Sequence, residues 1–184
     1  DATDGEIKSG PTTENLTKNA ITYYYLGKRT IKGTFSGATK EGEWAGNSYV
    51  RHLDVRNWDM TLCTDANRKF YAYSSLVSLD TSNWNLSALT NGNNMFYSCN
   101  SLQSLDTSNW NLSALTNGYK MFNRLGVKII DLSNVEMGDK LTTMTYMFSY
   151  SKLVELIDFR NSTFHNVTNA DTMFVGCDSL AELW

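Results

Sequence analysis

Hydrophobic and polar positions recur every 26 residues over the last three quarters of this chain. The segments 78–92 and 104–118 are identical, and they start 26 residues apart. One column of the repeat is phenylalanine and another is threonine (Phe70, Phe96, Phe122, Phe148 and Phe174; Thr64, Thr90, Thr116, Thr142 and Thr168). A repeat of this length is typical of proteins in which each unit buries its apolar face only against its neighbours. The pattern therefore predicts a solenoid.

Within one repeat, the pattern predicts a strand, a turn and a short helix. Leu105 and Thr107 alternate as inward positions of a strand around Leu102–Thr107, and strands of successive repeats would form a parallel sheet. Thr116 stands where a cap could begin a helical turn that ends near Phe122. The predicted fold class is a right-handed, leucine-rich-repeat-like α/β solenoid, with a parallel β-sheet on one face and short helical turns.

The two ends of the chain differ from the repeats. Ile21–Leu26 and Thr30–Phe35 are β-rich runs on either side of Gly27-Lys28-Arg29, which predicts a β-hairpin that caps the first repeat. We therefore expect a lead-in and hairpin cap over residues 1–42 and a solenoid of about five 26-residue repeats over residues 43–184. Because no C-terminal cap follows and the chain begins at Asp1, further repeats or domains of a longer parent chain are expected.

Composition narrows the classes of function. The chain has 184 residues, 16 basic and 19 acidic, with a formal net charge of −3. The charges are interleaved, so no basic stripe indicates a nucleic-acid partner. No apolar run approaches the length of a membrane-spanning helix, so no membrane insertion of this segment is expected.

The three cysteines are expected to be free thiols. Cys99 and Cys177 share a column three repeats apart, which places them about 14 Å from one another, beyond the reach of a disulfide. Cys63 lies in a column of leucine and valine and is expected to be a small core residue. No cysteine–histidine cluster with metal-ligand spacing occurs, so neither a metal site nor a cofactor is predicted.

The motif at residues 95–110, MFYSCNSLQSLDTSNW, returns in part as MFVGCDSLAELW at 173–184. It resembles the 26-residue repeat of bacterial surface proteins and lipoproteins, the BspA-like leucine-rich repeats. The resemblance covers about residues 43–184 and departs at 126–130, 134–139 and 156–161. It implies a secreted or surface-anchored bacterial protein that takes part in adhesion to host or neighbouring cells.

A row of aspartates follows the predicted strands, one in each repeat (Asp54, Asp80, Asp106, Asp131 and Asp158). The first interpretation is that each carboxylate accepts hydrogen bonds from backbone two or three residues on, as in an Asx turn. The alternative is a row of calcium ligands, because carboxylate oxygens suit hard cations. The outward positions beside the aspartates vary (His52, Arg56, Ser78, Ser82, Ser104, Ser108 and Arg160). We predict that this sheet face docks a partner, and the alternative is that it is only a solvated surface.

Two more columns carry polar or aromatic chemistry. Trp58, Trp84 and Trp110 form a tryptophan column, which could be core packing or an exposed row that stacks on sugars or anchors a protein. An asparagine occurs at the turn of every repeat and is expected to bridge consecutive turns through its side-chain amide (Asn57, Asn83, Asn109, Asn134 and Asn161).

The sequence thus favours a non-enzymatic module that binds a protein on a host or neighbouring cell through the sheet face. The two histidines, His52 and His165, belong to no recognisable nucleophile constellation, so an enzyme is not predicted. A glycan-binding module that uses the tryptophan column and a structural spacer in a longer surface protein remain alternatives.

Overall fold

The structure, a computed structural model, describes residues 6–7, 20–25, 28–33, 48, 50–55 and 58–184. Ten short strands lie within these residues. In chain order they are β1 (Glu6–Ile7), β2 (Ala20–Tyr25), β3 (Lys28–Gly33), β4 (His52–Asp54), β5 (Ser78–Leu79), β6 (Asn111–Leu112), β7 (Ile129–Asp131), β8 (Glu136–Met137), β9 (Leu156–Asp158) and β10 (Glu182–Leu183). None of the described residues is helical, so no helix there is long and apolar enough to cross a membrane.

The strands form three separate sheets. The largest has the order β1-β2-β3-β4-β5, and its first three strands are antiparallel neighbours. Strands β2 and β3 form the predicted hairpin, although the link between them is only residues 26–27. Strand β3 then pairs in parallel with β4, so the hairpin continues the sheet at the start of the repeats. Strands β7, β9 and β10 form a parallel sheet, and β6 pairs with β8.

The predicted α/β solenoid is wrong. The described residues contain no helix in any repeat, and the sheet that was expected to run along one face is broken into short pieces. The segment around Leu102–Thr107, which was predicted to be a strand, contains no strand residue. The molecule is therefore not a leucine-rich-repeat-like fold. The predicted boundary at residues 42 and 43 lies outside the described residues.

The 26-residue repeat is nevertheless visible in the backbone pairing. Five residues spaced by 26 form consecutive parallel bridges (Asp65, Asn91, Asn117, Thr143 and Asn169). Next to them, the four threonines after Thr64 in the repeated column each donate the hydroxyl to the carbonyl of the threonine before them. Thr90 Oγ1 lies 2.9 Å from Thr64 O, and Thr116 Oγ1 lies 2.9 Å from Thr90 O. Threonine is therefore repeated because its hydroxyl joins one repeat to the next, not because it caps a helix.

The segments predicted to be helical are turn segments, which we define as residues 66–73, 92–99, 118–125, 144–151 and 170–177. In the second of them, alternate backbone N–H groups donate to the next repeat, for example Asn94 N to Tyr119 O and Phe96 N to Met121 O, both at 2.9 Å. The N–H groups between them donate three residues back, as Tyr97 does to Asn94 O. In an α-helix every N–H would donate to a carbonyl of the same segment, four residues back. Here half of these N–H groups pair with the next repeat instead, so no helix forms.

Left-handed residues make this alternation possible. Asn94 and Ser98 have φ angles of 54° and 61°, and the same two positions have positive φ in the other turn segments, for example in Arg68 and Arg124. Such angles are uncommon outside glycine. Because several of these residues are large, the packing and pairing between repeats must stabilise the strained backbone.

The core is built from columns of identical side chains. The five phenylalanines stack at ring-centroid distances of 5.4 Å to 5.9 Å. Trp84 lies 6.3 Å from both Trp58 and Trp110, and all three indoles are at most 4% exposed. Cys63, Cys99 and Cys177 are free thiols, of which the first two are buried. The predicted core position of Cys63 is confirmed.

The largest irregularity lies between the third and fourth repeats. The Leu-Asp motif recurs after 25 residues there, at Leu105-Asp106 and Ile130-Asp131, and the parallel pairing between β5 and β7 is interrupted. The shortened loop approaches the repeat before it closely, since Gly126 N donates to Cys99 O at 3.1 Å. A Cβ atom at Gly126 would lie 2.1 Å from Asn100 O, so only glycine fits.

Candidate functional site

The aspartate row shapes the turns. Asp106 Oδ1 accepts the backbone N–H of Ser108 at 2.9 Å, and Asp131 Oδ1 accepts that of Ser133 at 2.9 Å. Asp80 Oδ1 accepts both the backbone N–H and the hydroxyl of Ser82, at 3.2 Å and 2.6 Å. Hydrogen bonds from the Ser108 side chain and backbone lower the pKa of Asp106. The Asx-turn interpretation is confirmed at these aspartates.

The fifth aspartate is held by an ion pair as well. Asp158 is 4% exposed, and its Oδ2 lies 2.7 Å from a guanidinium nitrogen of Arg160. The hydrogen bond from Arg160 lowers the pKa of Asp158, and the same contact raises the pKa of Arg160. Asp158 pairs directly with Asp131 across β7 and β9. Arg160 therefore offsets the repulsion that two adjacent carboxylates would otherwise feel.

The remaining predicted residues of this face are mostly small and exposed. His52 Nδ1 and Ser78 Oγ, which face each other across β4 and β5, lie 2.7 Å apart. Ser104 and Ser108 are exposed, and Ser82 is half-buried. Arg56, Asn57 and the side chain of Asp54 lie outside the described residues.

The carboxylates of this face do not gather into one centre. No group of three or more His, Cys, Asp or Glu side chains in the described residues could hold a metal ion. Asp106 and Asp131 border a groove of about 220 Å³ at the break in the sheet, together with Leu105, Thr107, Ser108 and Asn134. The groove is open and small, so the structure adds little to the predicted docking role of this face.

The tryptophan column is core. Trp58, Trp84 and Trp110 are 4%, 0% and 2% exposed, and each stacks against phenylalanine as well as tryptophan. The core interpretation is confirmed, and these three residues must be removed from the predicted binding set because a buried indole has no free face for a sugar or a partner. The asparagines behave as expected where the structure shows a contact, since Asn109 Nδ2 donates to Ser82 O and Asn161 Nδ2 to Ser133 O.

A surface that the sequence analysis missed lies on the turn segments. We call it the tyrosine–cation surface, and it consists of Arg68, Tyr71, Tyr97, Tyr119, Lys120, Arg124, Tyr146 and Tyr150. Tyr71 and Tyr97 stack at 4.8 Å with an interplanar angle of 7°. Lys120 Nζ lies 4.9 Å from the ring centre of Tyr119 and 5.0 Å from that of Tyr146. The hydrogen bond with Tyr119 raises the pKa of Lys120, so its ammonium stays charged.

The ends of this surface are cationic. Arg68 lies over Tyr71 at 5.5 Å and Arg124 over Tyr150 at 5.3 Å, and both arginines are exposed. The first four turn segments contain no aspartate or glutamate. The cations of this surface therefore have no acidic side chain within the segments that form it.

A pocket of about 360 Å³ adjoins the surface at Arg124 and Tyr150. Its other lining residues are Asn100, Leu125, Gly126, Lys152 and Leu153. A volume of this size is within the range of pockets that hold small ligands or single side chains of a partner. One signal in the sequence could have indicated this region, because six of the ten tyrosines fall in the turn segments.

Comparison with known proteins identifies one family. The family model described as "Mycoplasma protein of unknown function, DUF285" matches residues 41–155 and 131–183, which together are more than three quarters of the chain. No curated protein and no solved structure matches the chain. The match supports a bacterial repeat family but not the BspA-like, leucine-rich branch that the sequence analysis named. The chain belongs to the DUF285 family.

Proposed function

We propose that this chain is a non-enzymatic protein-binding module on a bacterial cell surface that adheres to a protein of a host or neighbouring cell. The observation that carries the proposal is the tyrosine–cation surface. It crosses four consecutive repeats, and no carboxylate lies in the turn segments that form it. Secretion and adhesion are expected of surface proteins with repeats of this kind and are part of the proposal.

The chemistry of this surface suits protein recognition. Tyrosine and arginine are enriched among the residues that contribute most to binding energy at protein interfaces. The tyrosines here are already held by stacking and by cation–π contacts, as in the Tyr71–Tyr97 pair and around Lys120. Side chains that are fixed before binding lose less conformational entropy when a partner docks. The surface is therefore ready to form the centre of an interface.

The aspartate face supports a partner less well. Its carboxylates already accept hydrogen bonds from their own turns, as Asp106 does from Ser108, and the Asp158 carboxylate is paired with Arg160. A partner would have to compete with these bonds. The glycan-binding alternative loses its main support, because the tryptophans it needs are buried.

A binding array of purified extracellular and matrix proteins, with a glycan array run in parallel, tests the proposal. The probe is the intact domain, and the affinity for each protein that binds is then measured by biolayer interferometry. Tyr71→Ser combined with Tyr97→Ser should weaken binding by about thirtyfold or more, since it removes two interface aromatics. Ser78→Ala combined with Ser104→Ala, on the aspartate face, is the matched control and should change the affinity by less than about twofold.

Three outcomes would contradict the proposal. If the intact domain binds no protein on the array, the result favours the alternative of a structural spacer. If only glycans bind, the protein-binding class is wrong. If the serine control loses binding and the tyrosine variant does not, the partner docks on the aspartate face. Circular dichroism of each variant shows whether a loss of binding is instead a loss of fold.

A further inference from the structure

The pocket beside the tyrosine–cation surface lies where one column of the repeat has a glycine. Asn100, Gly126, Lys152 and Asp178 occupy the same position in successive repeats. The Asn100 carbonyl lies where a Cβ of Gly126 would be, so the two backbones are in close contact and a larger residue would push them apart. Asn100, Gly126 and Lys152 all line the pocket of about 360 Å³.

The pocket is rigid at its base. Ser151 is buried, and its hydroxyl accepts the backbone N–H of Leu125 at 3.0 Å while it donates to Phe122 O at 2.9 Å. Lys152 N donates to Tyr150 O at 3.0 Å. These bonds fix the backbone from which the lining side chains project, so a ligand would meet a pre-formed site.

The lining carries positive charge without a matching carboxylate. Arg124 and Lys152 are exposed, and neither has an ion-pair partner among the described residues. Glu155 is engaged with Lys128 at 2.7 Å, and Asp178, one repeat beyond Lys152, does not line the pocket. Two cations that converge on a cavity attract an anion, and a guanidinium binds a carboxylate especially well.

The rest of the lining combines polar groups, such as Asn100, with two leucines. Leu153 is 54% exposed at the rim, and Leu125 is buried at the base. Sugar recognition favours a free aromatic face, but Arg124 already lies over the ring of Tyr150 at 5.3 Å. An anionic group with a neighbouring aliphatic side chain therefore fits better than an acidic saccharide.

We propose that this pocket binds an acidic peptide segment, in which a carboxylate pairs with Arg124 and Lys152 and an adjacent aliphatic side chain packs on Leu153. The inference rests on the proposed function and names the chemistry of the protein partner. The recognised segment is a glutamate or aspartate flanked by a residue such as leucine. Docking there would continue directly onto the tyrosine–cation surface through Arg124 and Tyr150.

The probe is the peptide acetyl-Gly-Leu-Glu-Leu-Gly-amide, titrated into the isotope-labelled domain and followed by its amide NMR shifts. We expect a dissociation constant of about 1 mM or tighter, with the largest shifts at Leu125, Gly126 and Leu153. The peptide with glutamine in place of glutamate should bind about tenfold more weakly. Lys152→Gln should have the same effect, whereas the control Lys140→Gln, an exposed lysine outside the pocket, should change the affinity by less than about twofold.

Each other result overturns the inference. Equal binding of the two peptides would exclude recognition of the charge, and unchanged binding to Lys152→Gln would place the site elsewhere. Shifts with glucuronate but none with the peptide would indicate an acidic sugar, and no shifts with either would leave no anion site. The inference and the proposed function fail separately. If proteins on the array bind Lys152→Gln as tightly as wild type, only the proposed function is supported. If the peptide binds but no protein on the array does, only the pocket is supported.

Discussion

Two tryptophans of this protein stand in identical sequence and differ in one hydrogen bond. Trp84 and Trp110 both lie in the segment SNWNLSAL, and both are buried against the phenylalanine column. Trp84 Nε1 donates to Val55 O at 3.2 Å. Trp110 Nε1 is buried without a hydrogen-bond partner among the described residues. Phenylalanine at either site keeps an aromatic ring in the stack but removes the N–H.

The two substitutions should therefore have different costs. In each variant the phenylalanine ring buries less apolar surface than the indole it replaces, which costs about 1 kcal/mol. Trp84→Phe also breaks the buried hydrogen bond to Val55 O, which then keeps only the backbone N–H of Trp58 at 2.9 Å, and this adds about 1 kcal/mol. Trp110→Phe instead removes a buried donor that had no acceptor, which offsets part or all of its packing loss. We expect Trp84→Phe to lose about 1–2 kcal/mol more free energy of unfolding than Trp110→Phe.

Urea unfolding measures this difference. With an m-value of about 2 kcal/mol per molar urea, the midpoints of the two variants should differ by about 0.5–1 M. Far-UV circular dichroism is the suitable signal, because the substitutions alter tryptophan fluorescence directly. Repeat proteins can unfold in parts, so amide hydrogen exchange in the second and third repeats serves as the local readout. Equal midpoints, or a lower midpoint for Trp110→Phe, would refute the reasoning.

Three further outcomes follow from single contacts. Gly126→Ala should cost about 2 kcal/mol or more in a thermal or urea unfolding experiment, because its Cβ would collide with a backbone carbonyl of the repeat before it; an unchanged midpoint would contradict the close approach. Arg160→Gln should destabilise the protein at neutral pH. Since Arg160 holds the pKa of Asp158 below its ordinary value of 3.8, the pair stabilises the fold above that value and this stability is lost as the pH falls through the folded-state pKa. The free energies of unfolding of wild type and variant should converge as the pH is lowered, and a difference that stays constant with pH would count against the ion pair. Burial raises the pKa of Cys99 to about 12, so peptide mapping after maleimide treatment of the native protein should find Cys177, which is half-buried, labelled first; faster labelling of Cys99 would argue against its burial.

The sequence predicted the columns of this protein well. Cys63 and the three tryptophans of the column are buried, and the asparagines and aspartates bond within and between turns. These features could be predicted because each depends on a contact that recurs with the repeat, either within one turn or between neighbouring repeats. A residue that recurs at the spacing of the repeat therefore indicates a contact that recurs at the same spacing.

The backbone between the columns could not be predicted in the same way. The Thr116–Phe122 segment has the pattern of a short helix. Nothing in the sequence there indicates the positive φ angles of Lys120 and, two residues after the segment, of Arg124. Large residues rarely adopt these angles, and local propensity argues against them. They occur because alternate N–H groups find acceptors in the next repeat, as Lys120 N does in Thr145 O at 3.1 Å. Contacts between repeats override the local preference.

The same distinction explains why the candidate interface was missed. The repeated residues that were predicted to bind, such as the aspartates and tryptophans, instead shape their own turns or hold neighbouring repeats together. The tyrosine–cation surface lies in columns that change from repeat to repeat, for example arginine, asparagine, lysine and tyrosine at positions 68, 94, 120 and 146. Side chains that bond or stack between repeats have little freedom to vary, whereas the turn segments pair through their backbone and leave their outward side chains free to change. Recognition in this chain is therefore expected where the repeat is broken, above all where Gly126 interrupts a column of polar side chains.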